Sequence, residues 1–154
     1  MIRAVFDTNL LVSAFLTRDE PGGVSNELLR FVRHGAVQLH LSPDISAETL
    51  TTLIESDRMQ KRYNYTPSMA LQFCDDLLAA GTVVVNPPPT PGAVPRDPED
   101  DKIVACAAAA SVEYIVSRDR DLLSLGTSHG IEIIAPEDFI QIVRRDHGRL
   151  SDDR

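Results

Sequence analysis

Ile2-Arg-Ala-Val-Phe-Asp-Thr-Asn-Leu-Leu11 is the stretch that decides the fold. An apolar run over Ile2–Phe6 breaks at Asp7, Thr8 and Asn9, and a hydrophobic pattern resumes at Leu10. The run is strand-length, and Leu10 to Leu16 reads as a short helix behind it. The expectation is a buried strand that carries a carboxylate at its carboxyl end. That is the edge at which open α/β sheets bind ligands.

Moving outward, the same alternation repeats. Further strands are expected at Val37–Leu41, Thr82–Val85, Tyr114–Val116 and Ile131–Ile134. Val24–Arg33 is amphipathic, with Val24, Leu28, Leu29 and Val32 on one stripe. Ser42-Pro43 and Thr66-Pro67 each pair an N-cap with a proline at the first helical position. Those helices are expected to run to about Ser56 and Ala80. Others are expected over Asp101–Ser111, Asp119–Leu125 and Pro136–Arg145, with Asp57–Tyr65 a polar, basic connection. Asn86–Pro98 holds six prolines and reads as a long loop, a kind of segment that often carries function. Strands alternating with helices predict a parallel sheet covered on both faces, an α/β fold.

The chain has 154 residues, which fits one compact domain over residues 1–146 with a polar tail at 147–154. Net charge is −8 and the pI about 4.9, so no generic phosphate-binding surface is expected. A nucleic-acid substrate stays possible if cations fill a carboxylate site. Cys74 and Cys106 lack metal-ligand spacing and read as reduced core residues. Neither a secretory leader nor a membrane span is expected, and the cytoplasm is the default location.

Asp7, Glu48, Asp101 and Asp119 all fall at strand ends or in the helices that follow. In a parallel sheet such positions converge on one edge, where four carboxylates repel unless protonated or bridged by cations. Mg²⁺ or Mn²⁺ suits oxygen ligands and can activate water for phosphodiester hydrolysis. No serine, cysteine or histidine nucleophile is well placed, and His34, His40, His129 and His147 follow no ligand spacing. Each acid also has a plainer reading, as a helix cap, a first-turn acid or a solvated helix residue. Asp97, Glu99 and Asp100 compete with Asp101, which leads because Val104, Ala105 and Ala108 follow it as a small apolar face. Asp121 could share the role of Asp119.

Val5-Phe-Asp-Thr-Asn-Leu-Leu-Val-Ser-Ala14, Leu41-Ser-Pro-Asp-Ile-Ser-Ala-Glu-Thr-Leu50, Arg96-Asp-Pro-Glu-Asp-Asp-Lys-Ile-Val-Ala-Cys-Ala107 and Val116-Ser-Arg-Asp-Arg-Asp-Leu-Leu123 occur in that order. With these four blocks the chain resembles the PIN domain, in particular the VapC-like toxins of bacterial type II toxin–antitoxin systems. The resemblance implies a three-layer α/β/α fold and a metal-dependent ribonuclease. Its acidic ligands would correspond to Asp7, Glu48, Asp101 and Asp119, with Asn9 and Ser117 orienting ligands or water. It also implies a homodimer and neutralisation by a small antitoxin.

For RNA, Arg58, Lys61 and Arg62 beside Tyr63 and Tyr65 form a candidate grip, with Arg96 and Arg118 as alternative phosphate contacts. Arg144, Arg145 and Arg149 are expected in a solvated C-terminus. Two other classes compete. A phospho-acceptor or phosphatase-type α/β domain also places Asp at a strand end beside a metal. The phosphatase pattern, however, wants a second Asp where Asn9 stands, and neither lysine, Lys61 nor Lys102, fits a receiver. A non-catalytic interaction module of the same fold is disfavoured by the intact set of acids.

Overall fold

A computed structural model describes residues 1–147. The polar tail expected at 147–154, and Arg149 with it, lies outside the described residues beyond His147.

The chain runs β1 (Ile2–Phe6), α1 (Thr8–Leu16), α2 (Val24–Arg33), β2 (Val37–Leu41), α3 (Pro43–Ile54), α4 (Asp57–Arg62), α5 (Pro67–Ala80) and β3 (Thr82–Val83). After the proline-rich loop come a 3₁₀ turn (Pro98–Asp100), α6 (Asp101–Ala110), β4 (Tyr114–Val116), α7 (Arg120–Leu123), β5 (Thr127–Ser128), β6 (Ile131–Ile134) and α8 (Pro136–His147). The sheet order is β3-β2-β1-β4-β6-β5. Every pairing is parallel except β5 with β6. Helices cover both faces, giving the three-layer α/β/α fold.

The order places the functional edge. From β1 the chain moves outward through β2 to β3, then returns and continues on the other side through β4 to β6. Strand order therefore reverses between β1 and β4, and a crevice opens there beyond their carboxyl ends. Asp7 follows β1 and Ser117 follows β4, so both stand at that crevice. The Asp7 amide donates to Val116 O at 3.0 Å and extends the β1–β4 ladder by one rung.

The core is buried on both faces of the sheet: Val5, Phe6, Leu39, Leu41, Ile115 and Val116 are each at most 1% exposed. Small residues let α6 lie close, since Ala105, Cys106 and Ala107 are all buried. Cys74 and Cys106 are free and buried, and burial pushes each thiol up to about 11, which keeps both protonated and unreactive.

Three local expectations change. Asp57–Tyr65 is not one open connection: Ser56 caps Met59 N at 3.1 Å and α4 forms over Asp57–Arg62. Thr127–Ser128 pairs antiparallel with β6 through a tight turn in which His129 and Gly130 both have positive φ. Arg144 is not solvated, because its guanidinium makes a two-pronged ion pair with Glu27 of α2 at 2.8 and 2.6 Å.

Candidate metal centre

Asp7 is the N-cap of α1 and is 4% exposed. Its position puts the carboxylate at a helix N-terminus, although its side chain makes no capping hydrogen bond to the amides of the first turn. Ser117, fully buried, donates its hydroxyl to Asp7 Oδ2 at 2.7 Å. The same Ser117 oxygen accepts the Asp119 amide at 2.9 Å. One side chain thus ties the ends of β1 and β4 together. Asp119 in turn caps α7, accepting the Asp121 amide at 2.8 Å.

The third acid comes from the end of the proline-rich loop. Carboxylate oxygens of Asp97, Asp100 and Asp119 all lie within 4.8 Å of one another. Burial, then the charges of Asp7, Asp119 and Asp97, push the Asp100 carboxyl up to about 8. The Asp7 carboxyl is also raised, chiefly by burial, although its hydrogen bonds oppose the shift. Two groups that resist ionisation here, beside two more acids, mark a pocket of strong negative potential.

Asp101, expected as the third ligand, is turned away from this cluster. Its Oδ1 accepts the Val94 amide at 2.8 Å and its Oδ2 the Gly92 amide at 3.2 Å. It fastens the proline-rich loop to α6, and of the two neighbours it is Asp100 that lies with Asp97 and Asp119. The cause is helical phase, because adjacent side chains where the 3₁₀ turn over Pro98–Asp100 meets α6 point about 100–120° apart. The sequence signal for Asp100 and Asp97 was only the run of acids itself.

Glu48 projects from α3 and forms an ion pair with Lys102 of α6, whose ammonium also approaches Glu99 at 3.7 Å. It is not among the three clustered aspartates. Spacing in sequence gave no sign of the Lys102 pairing. Asn9 is exposed in the first turn of α1, and Asp121 is half-buried in the first turn of α7.

The residues present fit a hard cation. All donors are carboxylate oxygens, and two buried polar atoms at this edge, Asp100 Oδ2 and Thr8 Oγ1, have no hydrogen-bond partner. A divalent ion with its waters would neutralise the acids and satisfy such orphans.

The expected RNA grip is only partly available. Tyr65 is 5% exposed, donates its hydroxyl to Leu53 O at 2.8 Å and packs edge-on against Phe15. It belongs to the core and cannot stack on a base. Arg58, Lys61 and Arg62 remain exposed on α4, Arg62 lying 5.4 Å over the Tyr63 ring. Arg118 is engaged by Glu137 at 2.6 Å, which leaves two exposed arginines beside the cluster, Arg96 next to Asp97 and Arg120 next to Asp119.

The PIN domain family model matches residues 3–121, a span that runs from β1 to the first turn of α7 and contains every acid of the cluster. No curated protein matches the chain.

Proposed function

The chain belongs to the PIN domain family, whose members are generally metal-dependent nucleases, and on that premise we propose that it is an endoribonuclease that hydrolyses RNA phosphodiester bonds with Mg²⁺ or Mn²⁺. The observation that carries this reading is the approach of Asp97, Asp100 and Asp119 to within 4.8 Å around a buried, unpartnered Asp100 oxygen. Asp7, Asp100 and Asp119 would hold the cation, with Asp97 at the rim. Glu48, held by Lys102, is the acid that α3 contributes nearby.

The cation would supply the positive charge that lowers the pKa of an attacking water and offsets charge gathering on the phosphate. Ser117 is a positioning residue: it aims Asp7 and fixes the backbone of Asp119. Thr8 has a free buried hydroxyl able to orient a water. Arg96 is placed to draw in the phosphate backbone. In the reaction, water oxygen bonds to phosphorus, the bridging P–O bond breaks, and the leaving ribose oxygen takes up a proton.

A labelled RNA incubated with Mn²⁺ tests the assignment. Cleavage is expected with wild-type protein, lost in EDTA and lost in Asp7→Asn; full cleavage by that variant overturns it. The resemblance to VapC-like proteins supports a narrower reading of the same unit, residues 1–146, as a homodimeric toxin neutralised by a small antitoxin. Growth arrest on expression, absent in Asp7→Asn and relieved by a small protein encoded alongside, is the expected result. Light scattering should give twice the 16.9 kDa chain mass.

A further inference from the structure

A cleft of about 330 Å³ opens between the start of α3, the proline-rich loop and α6, and its lining includes Asp101 and Lys102, which directly follow Asp100 in the chain. Its walls are the rings of Pro87, Pro89 and Pro91 and the methyl of Ala105. Sites for drug-sized ligands begin near this volume, so the cleft suits one small planar group rather than a length of polymer.

Its polar lining is nearly all committed. Ser42 accepts the Ile45 amide at 3.2 Å. Thr90 donates to Asp101 O at 3.1 Å. Asp101 is held by the Val94 and Gly92 amides, and Lys102 is paired with Glu48. Asp44 alone among the polar lining side chains is exposed and without a partner among the described residues. A ligand entering here meets apolar walls and one carboxylate.

That surface rejects a phosphate and accepts a flat body that presents N–H donors. Two neighbouring donors match the two oxygens of a carboxylate, and guanine offers such a pair, N1–H and N2–H, on its Watson–Crick edge. Single-stranded RNA is read in this way, with bases splayed out and recognised on that edge. We propose that this cleft is a base subsite that selects guanine in the nucleotide flanking the scissile phosphate, with Asp44 as the reading residue. The proposal rests on the nuclease reading for its substrate, but its test does not need cleavage.

Isotope-labelled protein in Mg²⁺ buffer is titrated with GMP, AMP, CMP and UMP while backbone amide shifts are followed. GMP is expected to move the amides of Asp44, Ile45, Thr90 and Ala105 and to saturate at about tenfold or more lower concentration than CMP or UMP. Asp44 is exposed at a helix start, so Asp44→Ala should fold normally and abolish that preference. Equal binding of all four nucleotides, or a guanine preference that survives Asp44→Ala, overturns the subsite. So does tighter binding of all four in Asp44→Ala, which would make the carboxylate a mere repulsive charge. Guanine selectivity in protein that never cleaves RNA with Mn²⁺ would instead leave the subsite standing and sink the nuclease reading.

Discussion

Asp100 and Asp101 are adjacent in the chain, yet only Asp100 joins the cluster with Asp97 and Asp119. Asp101 accepts two loop amides. Asp100→Asn should therefore abolish high-affinity Mn²⁺ binding by calorimetry. Asp101→Asn should keep that binding while costing about 1–3 kcal/mol in denaturant unfolding, the worth of hydrogen bonds to a charged group. Ser117→Ala, which frees both Asp7 and the Asp119 amide, should lower metal-dependent activity about 10- to 100-fold, as loss of an outer-shell partner does. The pH dependence follows from Asp100, whose carboxyl is raised from 3.8 to about 8, mainly by burial and the neighbouring acids. Between those values the folded, metal-free protein holds a proton that the unfolded chain has released. Its stability should fall as pH rises from about 4 to 8 and level off above. A cation must displace that proton, so Mn²⁺ binding at pH 6 should release protons and at pH 9 should release nearly none, read by calorimetry in buffers of different ionisation heat. That Asp7, Asp119 and Ser117 meet at one sheet edge was legible in sequence, because each follows an apolar strand. Asp100 was not, because the choice among neighbouring acids depends on the phase of a single 3₁₀ turn.

Elements with two agreeing local signals were readable from the sequence, and those with one were not. Val24–Arg33 has its apolar stripe and a basic last turn, and α2 has the expected bounds. Ser42-Pro43 and Thr66-Pro67 open α3 and α5, each with the capping hydrogen bond in place. By contrast, α4 has no buried residue and so no apolar period to read. β5 is two residues long and is held by pairing with β6, which local sequence does not encode. The α2–α8 ion pair between Glu27 and Arg144 likewise joins positions far apart in sequence. The corner between α5 and β3 has its own constraint. A Cβ at Gly81 would lie 2.7 Å from Leu41 Cδ2, 3.0 Å from Leu39 O and 3.1 Å from Leu77 O. Two of those neighbours are backbone atoms and cannot swing aside. Gly81→Ala should lower the denaturation midpoint by the equivalent of about 1–3 kcal/mol, as overpacking does, with α5 or β3 displaced from β2.

Across the whole molecule, an acidic chain has to hold a polyanion, and charge explains how. The chain carries a net charge of −8, and the acids of the cluster repel phosphate until a cation is bound. The exposed cations near the cluster are few among the described residues: Arg96 and Arg120 beside it, then Arg58, Lys61 and Arg62 on α4, with Arg118 committed to Glu137. Affinity for single-stranded RNA should then depend only weakly on monovalent salt. About 2–4 phosphate contacts give a slope of log K against log salt near −1.5 to −3. Dependence on the divalent ion should be nearly absolute. Fluorescence anisotropy of a labelled RNA with the wild-type protein, Ca²⁺ standing in for Mn²⁺ so that cleavage is suppressed, measures both. A slope steeper than about −5 would require more phosphate contacts than these residues supply. Binding that persists in EDTA would mean that the acids do not face the phosphate at all, and the metal centre would lose its link to the substrate.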